Sequence, residues 1–282
     1  LANALFVSKH TAVGAGTVAL AGLWHRVLAR DAPELPKAEG RALAERFQAL
    51  LQADLGHVQA GDYPRELLLQ TPISRYLSQL PRGLPEMLRI WLRRRRGGYA
   101  ELPPEAHSGA YPAYYLRNFH WQTDGWLSER SARIYDAEVE FLFAGTADLM
   151  RRMAIPPVVR ALRHLERPRI LDVGCGTGRY LRQFAVARPD ARFYGLDLSQ
   201  PYLRRAAETC AAVADLSLVR ENAEAMPFAE HSFDAVTSVY LFHELPKDAR
   251  RRVMREMRRV LVPGGTLVIE DACQAAGSGH LA

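Results

Sequence analysis

The chain has 282 residues, of which 48% are hydrophobic and 24% charged, and its formal net charge is +6. These values are typical of a soluble globular protein with one large domain or two modest ones. Cys175, Cys210 and Cys273 lie far apart, which excludes a disulfide framework and a cysteine metal site, and favours a reducing, cytoplasmic location. The basic excess admits an acidic partner, although a solvated basic face is the simpler interpretation.

Residues 1–110 are predicted to form a mostly helical N-terminal region. The apolar residues 12–24 are too short to span a bilayer, so an amphipathic or buried helix is the better interpretation. Residues 41–55 are predicted to be a helix because their large apolar side chains recur at helical spacing.

Four consecutive arginines, Arg93, Arg94, Arg95 and Arg96, end the next apolar stripe. Basic side chains in a last helical turn complement the helix dipole, which makes a solvated helix end the default interpretation. The same cluster is also suited to peripheral contact with an anionic membrane. Both interpretations stay open at the level of sequence.

Residues 111–155 are predicted to form an aromatic-rich helical cap. Nine of the chain's 25 aromatic residues lie between positions 111 and 143, more than one ordinary helix needs for packing. Tyrosine and tryptophan suit a pocket wall that is apolar in body and polar at the tip. A helical subdomain packed for stability only is the alternative. The candidate substrate contacts of the cap are Tyr115, His120, Trp121, Tyr135 and Asp136.

From residue 156 to 282 the pattern is that of an α/β core. Strands are predicted at 169–174, 192–197, 216–220, 233–239 and 265–270, with helices near 177–188, from Ser199 onward and near 247–260. Alternating βα units imply a doubly wound, mainly parallel sheet of the Rossmann-like type. Right-handed crossovers then bring the loops after the strands to one edge of the sheet.

The first of these strands runs directly into a glycine-rich turn. Gly174, Gly176 and Gly178 follow Asp172, and the second strand ends at Asp197, nineteen residues after Gly178. Glycine permits the turn and a close approach by a ligand. An acid at the end of the second strand can accept hydrogen bonds from both hydroxyls of a ribose. Loop and acid together indicate a nucleoside site.

The spacing of the glycines and the preceding acid indicate which nucleoside binds. The dinucleotide fingerprint is G-x-G-x-x-G, whereas this chain has G-x-G-x-G after Asp172. A carboxylate there repels a pyrophosphate and attracts an ammonium or a sulfonium. S-adenosylmethionine carries an adenosine, a sulfonium and an α-amino group.

This run resembles motif I of the class I S-adenosylmethionine-dependent methyltransferases. Residues 221–228 resemble the family's adenine-contact segment, residues 232–236 the start of strand four, and residues 261–267 the turn into strand five. Ile134, Tyr135, Asp136 and Gly145 are similar to the entry helix of the ubiquinone and menaquinone C-methyltransferases, which are related to the methyltransferase type 11 domain. The resemblance implies S-adenosyl-L-methionine as cofactor, contacted by Asp172, Gly174, Cys175, Gly176, Gly178, Asp197, Leu198, Asn222, Ala223 and Tyr240.

Individual roles follow from the same resemblance. Asp172 is expected to orient the loop through backbone N–H groups or to reach the cofactor's ammonium through water. Asp197 is expected to bind the ribose hydroxyls, and Leu198 to stack over the adenine. Asn222 and Ala223 align with the adenine contacts, and the side-chain oxygen of Asn222 can accept from the adenine amino group.

The chain departs from the family at its C-terminal side. The family adds two more strands after the fifth, one of them antiparallel, but this sequence ends shortly after its fifth predicted strand. We therefore expect either a truncated chain or a sheet edge covered by another element.

His243 follows strand four, where the family's substrate meets the methyl group. Histidine titrates near neutrality, so it is a candidate general base. The alternative is a histidine that only fixes the loop, because methyl transfer depends mainly on aligning the reacting atoms.

The predicted activity is methyl transfer to a small, apolar or aromatic molecule, without a metal ion. A nucleic-acid or protein methyltransferase and a non-catalytic cofactor-binding subunit are the alternatives. The sequence after strand four has no Asn/Asp-Pro-Pro run and no cysteine follows a proline, which counts against two classes of nucleic-acid enzymes.

Overall fold

The structure is a computed structural model of the chain. It describes residues 37–70, 88–89, 92, 96–98, 102, 111–117, 124–143 and 145–272. His120, Trp121, Arg93, Arg94, Arg95 and Cys273 lie outside the described residues, as do residues 12–24.

Helices precede the sheet. They are α1 (Lys37–Gln59), α2 (Glu129–Leu142), α3 (Ala147–Met153) and α4 (Ile155–Ala161), with short 3-10 turns at Arg65–Leu69 and Ala113–Tyr115. The helix predicted over 41–55 is confirmed, and α1 extends beyond it at both ends. Among the described residues, no helix is long and apolar enough to cross a membrane.

Five parallel strands form one sheet in the order β3-β2-β1-β4-β5. The strands are β1 (Arg169–Val173), β2 (Arg192–Asp197), β3 (Leu216–Arg220), β4 (Phe233–Val239) and β5 (Leu261–Glu270). The helices between them are α5 (Arg179–Ala187), α6 (Gln200–Thr209) and α7 (Lys247–Val260). The predicted doubly wound fold is confirmed, and β5 is an edge of the described sheet.

One strand boundary was predicted wrongly. The prediction started β5 at residue 265, but the strand begins at Leu261 and its pairing with β4 shifts between Phe233 and Ala235. A bulge of this kind accommodates Pro263 and Gly264, which has a φ of +77°, inside the strand. The prediction started the strand too late because Pro263 and Gly264 are residue types that usually indicate a turn.

The N-terminal helices share a core with the sheet. Leu51 of α1 and Leu67 belong to the same buried apolar cluster as Ile170 of β1 and Phe184 of α5. A second cluster on the other face of the sheet includes Val236 and the inward side of α7. The domain limits 1–110, 111–155 and 156–282 stay predictions, because described residues from all three segments, such as Leu51, Leu149 and Ile170, belong to one buried cluster.

A buried ion pair fastens α1 to α3. Arg152 is fully buried and donates from Nε to Asp54 Oδ1 over 3.0 Å and from Nη2 to Asp54 Oδ2 over 2.5 Å. The hydroxyl of Tyr63 also donates to Asp54 Oδ1, at 2.5 Å. Because neither charge reaches water, each depends on the other for its stability.

Candidate cofactor and acceptor site

The glycine loop lies at the carboxyl ends of β1 and β2. The backbone N–H groups of Gly174 and Cys175 both donate to the carbonyl oxygen of Leu196, at 2.8 and 3.1 Å. Gly174, Gly176 and Gly178 have φ values of +75°, +55° and +73°, a region that strains other residues. The loop is thus tied to the end of β2 and depends on glycine for its shape.

The three loop glycines differ in what surrounds them. A Cβ added at Gly178 would lie 2.8 Å from Cys210 Sγ and 3.1 Å from Ala206 Cα, so this glycine allows α5 to pack on α6. At Gly176, no atom of the described residues lies within 4 Å of such a Cβ, its two chain neighbours aside. Gly176 therefore faces an open space, as a loop that admits a ligand requires.

We expect substitutions at these glycines to separate stability from binding. Gly178→Ala should lower the free energy of unfolding by about 1–3 kcal/mol more than Gly61→Ala, because Gly61 has a similar φ of +72° but open space around it. Gly176→Ala should resemble Gly61→Ala in urea denaturation but bind S-adenosylhomocysteine about tenfold more weakly. Equal affinity in Gly176→Ala and the parent protein would contradict a ligand at this loop.

Asp197 joins the glycine loop to the start of α6. Its Oδ2 accepts from the Gly176 N–H and its Oδ1 from the Ser199 N–H, both at 2.8 Å. Burial raises its pKa, and these backbone hydrogen bonds oppose the rise. A carboxylate has about four acceptor positions, so roughly two remain for a ligand. This fits the predicted pair of ribose hydroxyls.

Asp172 is 2% exposed and accepts a 3.0 Å hydrogen bond from Thr237 Oγ1 of β4. Asp172 was expected to orient the loop through backbone N–H groups or to reach the cofactor's ammonium through water; the Gly176 N–H of the loop is held by Asp197. Burial raises the pKa of Asp172 to about 7, against the effect of the Thr237 hydrogen bond. Near neutrality the group is thus poised to ionise when a cation arrives.

Cofactor affinity should therefore depend on pH through Asp172. A bound ammonium lowers the carboxyl pKa, so affinity should rise as pH increases through about 7 and level off above it. Stability should behave oppositely: the raised folded-state pKa stabilises the protein below pH 4, and this gain is lost between about pH 4 and 7. Asp172→Asn should flatten both profiles and weaken binding, which calorimetry and urea denaturation from pH 5 to 9 would measure. A profile that is unchanged in Asp172→Asn would contradict this role.

The predicted adenine contacts lie beyond β3. The side-chain oxygen of Asn222 accepts from the Glu224 N–H at 2.9 Å, so its predicted acceptor atom already holds the local turn. Ala223 packs against the apolar cluster of the second sheet face. Leu198 is partly exposed, and Cys175 is buried with a thiol pKa raised by that burial.

The aromatic segment 111–117 lies against the carboxyl ends of β2 and β3. Tyr115 stacks on Tyr111 with 5.3 Å between ring centroids. Burial raises its pKa, and the nearby Asp197 raises it further. Tyr114 donates to Glu224 Oε1 at 2.6 Å. Tyr115 thus lies near Asp197, and its predicted contact with substrate stays a prediction.

Helix α2 is attached to the glycine loop. Asp136 Oδ1 accepts a 2.6 Å hydrogen bond from Thr177 Oγ1, and both residues are buried. The Tyr135 ring meets the rings of Trp126 and Tyr202 edge-on, at 5.3 and 5.4 Å. The structure therefore gives Tyr135 and Asp136 positioning contacts, and their predicted contact with substrate stays a prediction.

His243 lies between two carboxylates after β4. Its Nδ1 is 2.7 Å from Asp271 Oδ1 and its Nε2 is 3.2 Å from Glu244 Oε1. The hydrogen bonds to Asp271 and then Glu244 raise the pKa of His243 to about 9. The ring is therefore a cation at neutral pH, which favours the loop-fixing interpretation over a general base.

Tyr240 follows β4 directly and has a φ of +59°, unusual for a residue with a side chain. Its ring is stacked on that of Phe143, with centroids 5.8 Å apart, and the guanidinium of Arg151 lies 5.6 Å from its centroid. Strained backbone of this type collects at functional sites. Tyr240 thus faces α2 and α3 on the β4 side of the loop.

Four residues at this edge were missed in the sequence: Glu140, Arg151, Glu270 and Asp271. Glu270 is the last residue of β5 as Asp197 is the last residue of β2, and Asp271 comes directly after β5, so the same rule about strand ends would have found both. Arg151 carries no such signal, because an arginine in a helix is usually solvated. Among the described residues, no group of three or more His, Cys, Asp or Glu side chains is arranged to hold a metal ion.

Residues 170–265 match the family described as "Methyltransferase domain". The demethylmenaquinone methyltransferase of Geobacillus kaustophilus is 34% identical over 45% of this chain and 51% of its own length. The 27-O-demethylrifamycin SV methyltransferase of Amycolatopsis mediterranei is 34% identical over 49% of this chain and 48% of its own. The probable tRNA methyltransferase 9B of Bos taurus is 35% identical over 40% of this chain and 24% of its own. The chain thus spans about half the length of the two bacterial relatives and about a quarter of the bovine one.

Proposed function

We propose that residues 170–265, which match a methyltransferase domain, are of the class I S-adenosylmethionine-dependent type and that the chain transfers a methyl group to a small molecule. The cofactor supplies the methyl group on a positively charged sulfur. We assign its nucleoside to the space between the glycine loop, Asp197 and the 111–117 segment.

The observation that carries this proposal is the pair of hydrogen bonds by which Asp197 links the glycine loop to the start of α6. Its carboxylate accepts hydrogen bonds from both the Gly176 and the Ser199 N–H groups, so it fixes the position of the loop relative to the first turn of α6. The open space at Gly176 lies beside these hydrogen bonds. Buried Asp172, with its pKa near 7, supplies a second acid that ionises in response to a cation.

The surroundings support an aromatic or apolar acceptor. Phe143 and Tyr240 present stacked rings at the end of β4, and Tyr135 and Trp126 lie close by on α2 and before it. Two relatives are named for methylating a quinone precursor and a rifamycin, both small molecules. The buried thiols of Cys175 and Cys210 suit a cytoplasmic reaction.

A transfer assay with methyl-labelled S-adenosylmethionine tests this directly. The protein should label compounds in a small-molecule extract from which macromolecules have been removed, and Asp197→Ala should abolish the labelling. Label found only in RNA or protein would contradict a small-molecule acceptor. Cofactor binding without any label in either fraction would indicate the non-catalytic subunit.

An RNA acceptor is the second candidate, and one surface favours it. An open groove of about 630 Å³ beside α7 is lined by Phe242, Arg250, Arg251, Met254 and Arg255. Arginines beside an aromatic ring suit phosphates and stacked bases, and a relative is named as a probable tRNA methyltransferase. A tRNA affinity that falls steeply with salt, and that falls in Arg251→Glu, would support this candidate.

A further inference from the structure

A buried polar cluster lies at the carboxyl ends of β4 and β5. It takes no part in the hydrogen bonds between Asp197 and the glycine loop. Val239 pairs with Glu270, and the Tyr240 N–H donates to the Glu270 carbonyl oxygen at 2.9 Å. Arg151 of α3 covers the Tyr240 ring, with its guanidinium 5.6 Å from the centroid. Glu140 of α2, 4% exposed, completes the cluster.

Several polar atoms of this cluster are buried without a geometrically acceptable hydrogen bond. They are Glu140 Oε1, Tyr240 Oη and Glu270 Oε2, considered among the described residues. Burying such an atom unsatisfied costs about 1–3 kcal/mol. The Tyr240 hydroxyl and the Glu270 carboxyl lie close enough for their interaction to lower the pKa of Glu270, so a ligand hydroxyl inserted between them would satisfy both groups. The neighbouring Phe143 is 39% exposed. Its ring forms an apolar surface beside these polar atoms, which favours a ligand with an aromatic ring over water alone.

We propose that Glu270, Tyr240 and Arg151 form the subsite for a hydroxyl group on an aromatic acceptor, with Glu270 accepting the hydroxyl proton. This inference rests on the proposed function. The acceptor oxygen loses its proton to a Glu270 carboxylate oxygen and gains the methyl group. The bond that breaks is the methyl–sulfur bond, whose electron pair stays on sulfur. Arg151 and the Tyr240 hydroxyl orient the carboxylate and the incoming oxygen.

Several described elements around Glu270 contribute charged or titratable neighbours. Arg151 approaches from α3, Tyr240 from the end of β4 and Tyr180 from α5, and Asp271 follows Glu270 directly after the strand ends. Glu140 of α2 acts on the neighbouring Tyr240. Burial raises the pKa of Glu270 to about 8, and Arg151 and Tyr240 oppose that rise. The carboxylate therefore becomes available as a proton acceptor as pH increases through about 8.

The test compares 2-naphthol with 2-methoxynaphthalene by calorimetry, with S-adenosylhomocysteine saturating, at pH 7 and pH 9. The full chain should bind 2-naphthol about tenfold more tightly than 2-methoxynaphthalene, and this preference should be larger at pH 9 than at pH 7. Glu270→Gln should remove this pH dependence and most of the preference, and Tyr240→Phe should reduce the preference while keeping the ring. Glu230→Gln, at an exposed glutamate, is the matched control and should change nothing.

Equal affinity for the two probes, no affinity for either, or a preference that survives in Glu270→Gln would each overturn the subsite. In these cases S-adenosylhomocysteine still binds and the proposed function stands. Failure of S-adenosylhomocysteine itself to bind would overturn the proposed function, and the subsite with it.

Discussion

Asp197→Ala should weaken S-adenosylhomocysteine binding about 100-fold or more. The parent carboxylate has about two acceptor positions left for the ribose hydroxyls, and each hydrogen bond to a charged group contributes about 1.5–3 kcal/mol. The substitution also removes the acceptor of the Gly176 and Ser199 N–H groups, so the loop is no longer linked to α6 through a shared carboxylate. Isothermal titration calorimetry on variants shown by circular dichroism to be folded would measure the effect.

The matched control is Asp215→Ala. Asp215 precedes β3 at the opposite edge of the same sheet, is 45% exposed at its side chain and pairs with Arg167. Its removal should leave cofactor affinity unchanged within about twofold. If both variants lost affinity equally, the loss would reflect general destabilisation rather than a ribose contact.

Asp54→Ala should reduce the free energy of unfolding by about 3–5 kcal/mol. The variant leaves Arg152, which is fully buried, without its bidentate carboxylate, and it removes the acceptor of the Tyr63 hydroxyl. Urea denaturation followed by circular dichroism would measure the loss. Asp215→Ala, which breaks an exposed ion pair, should cost less than about 1 kcal/mol.

A double substitution separates the charge from the packing. Asp54→Leu combined with Arg152→Met removes both buried charges, so it should recover much of the stability that Asp54→Ala loses. Cofactor affinity should persist in this double variant, because the side chains of Asp54 and Arg152 hydrogen-bond to each other and to Tyr63 and not to the glycine loop. A loss below 1 kcal/mol in Asp54→Ala would contradict the fastening of α1 to the sheet domain.

The order of strands and helices could be predicted because each βα unit carries its own local signals. Apolar runs mark the strands, Ser199 caps α6 through the Tyr202 N–H at 3.2 Å, and the glycines mark the loop. The placing of the glycine loop and Asp197 at one edge of the sheet followed from the rule that the ends of parallel strands share an edge, but the hydrogen bond from the Gly176 N–H to Asp197 was not predicted. These features depend on neighbours in sequence or on fold topology.

Contacts between distant segments could not be predicted in the same way. Nothing local to Arg152 indicates that Asp54 will neutralise it, and nothing local to Thr177 indicates that Asp136 will accept its hydroxyl. His243 shows the same limit: the ordinary histidine pKa left a general base and a loop-fixing role both open, and only the packing of Asp271 and Glu244 against the ring raises that pKa to about 9. The environment of a titratable group depends on packing, which one sequence does not specify.

A crystal structure of the chain with S-adenosylhomocysteine tests the central claim most directly. The account predicts ribose hydroxyls within about 3 Å of Asp197, the nucleoside beside Gly176, and the sulfur directed toward Tyr240 and Glu270. Ligand density elsewhere, or a ribose that makes no contact with Asp197, would contradict it.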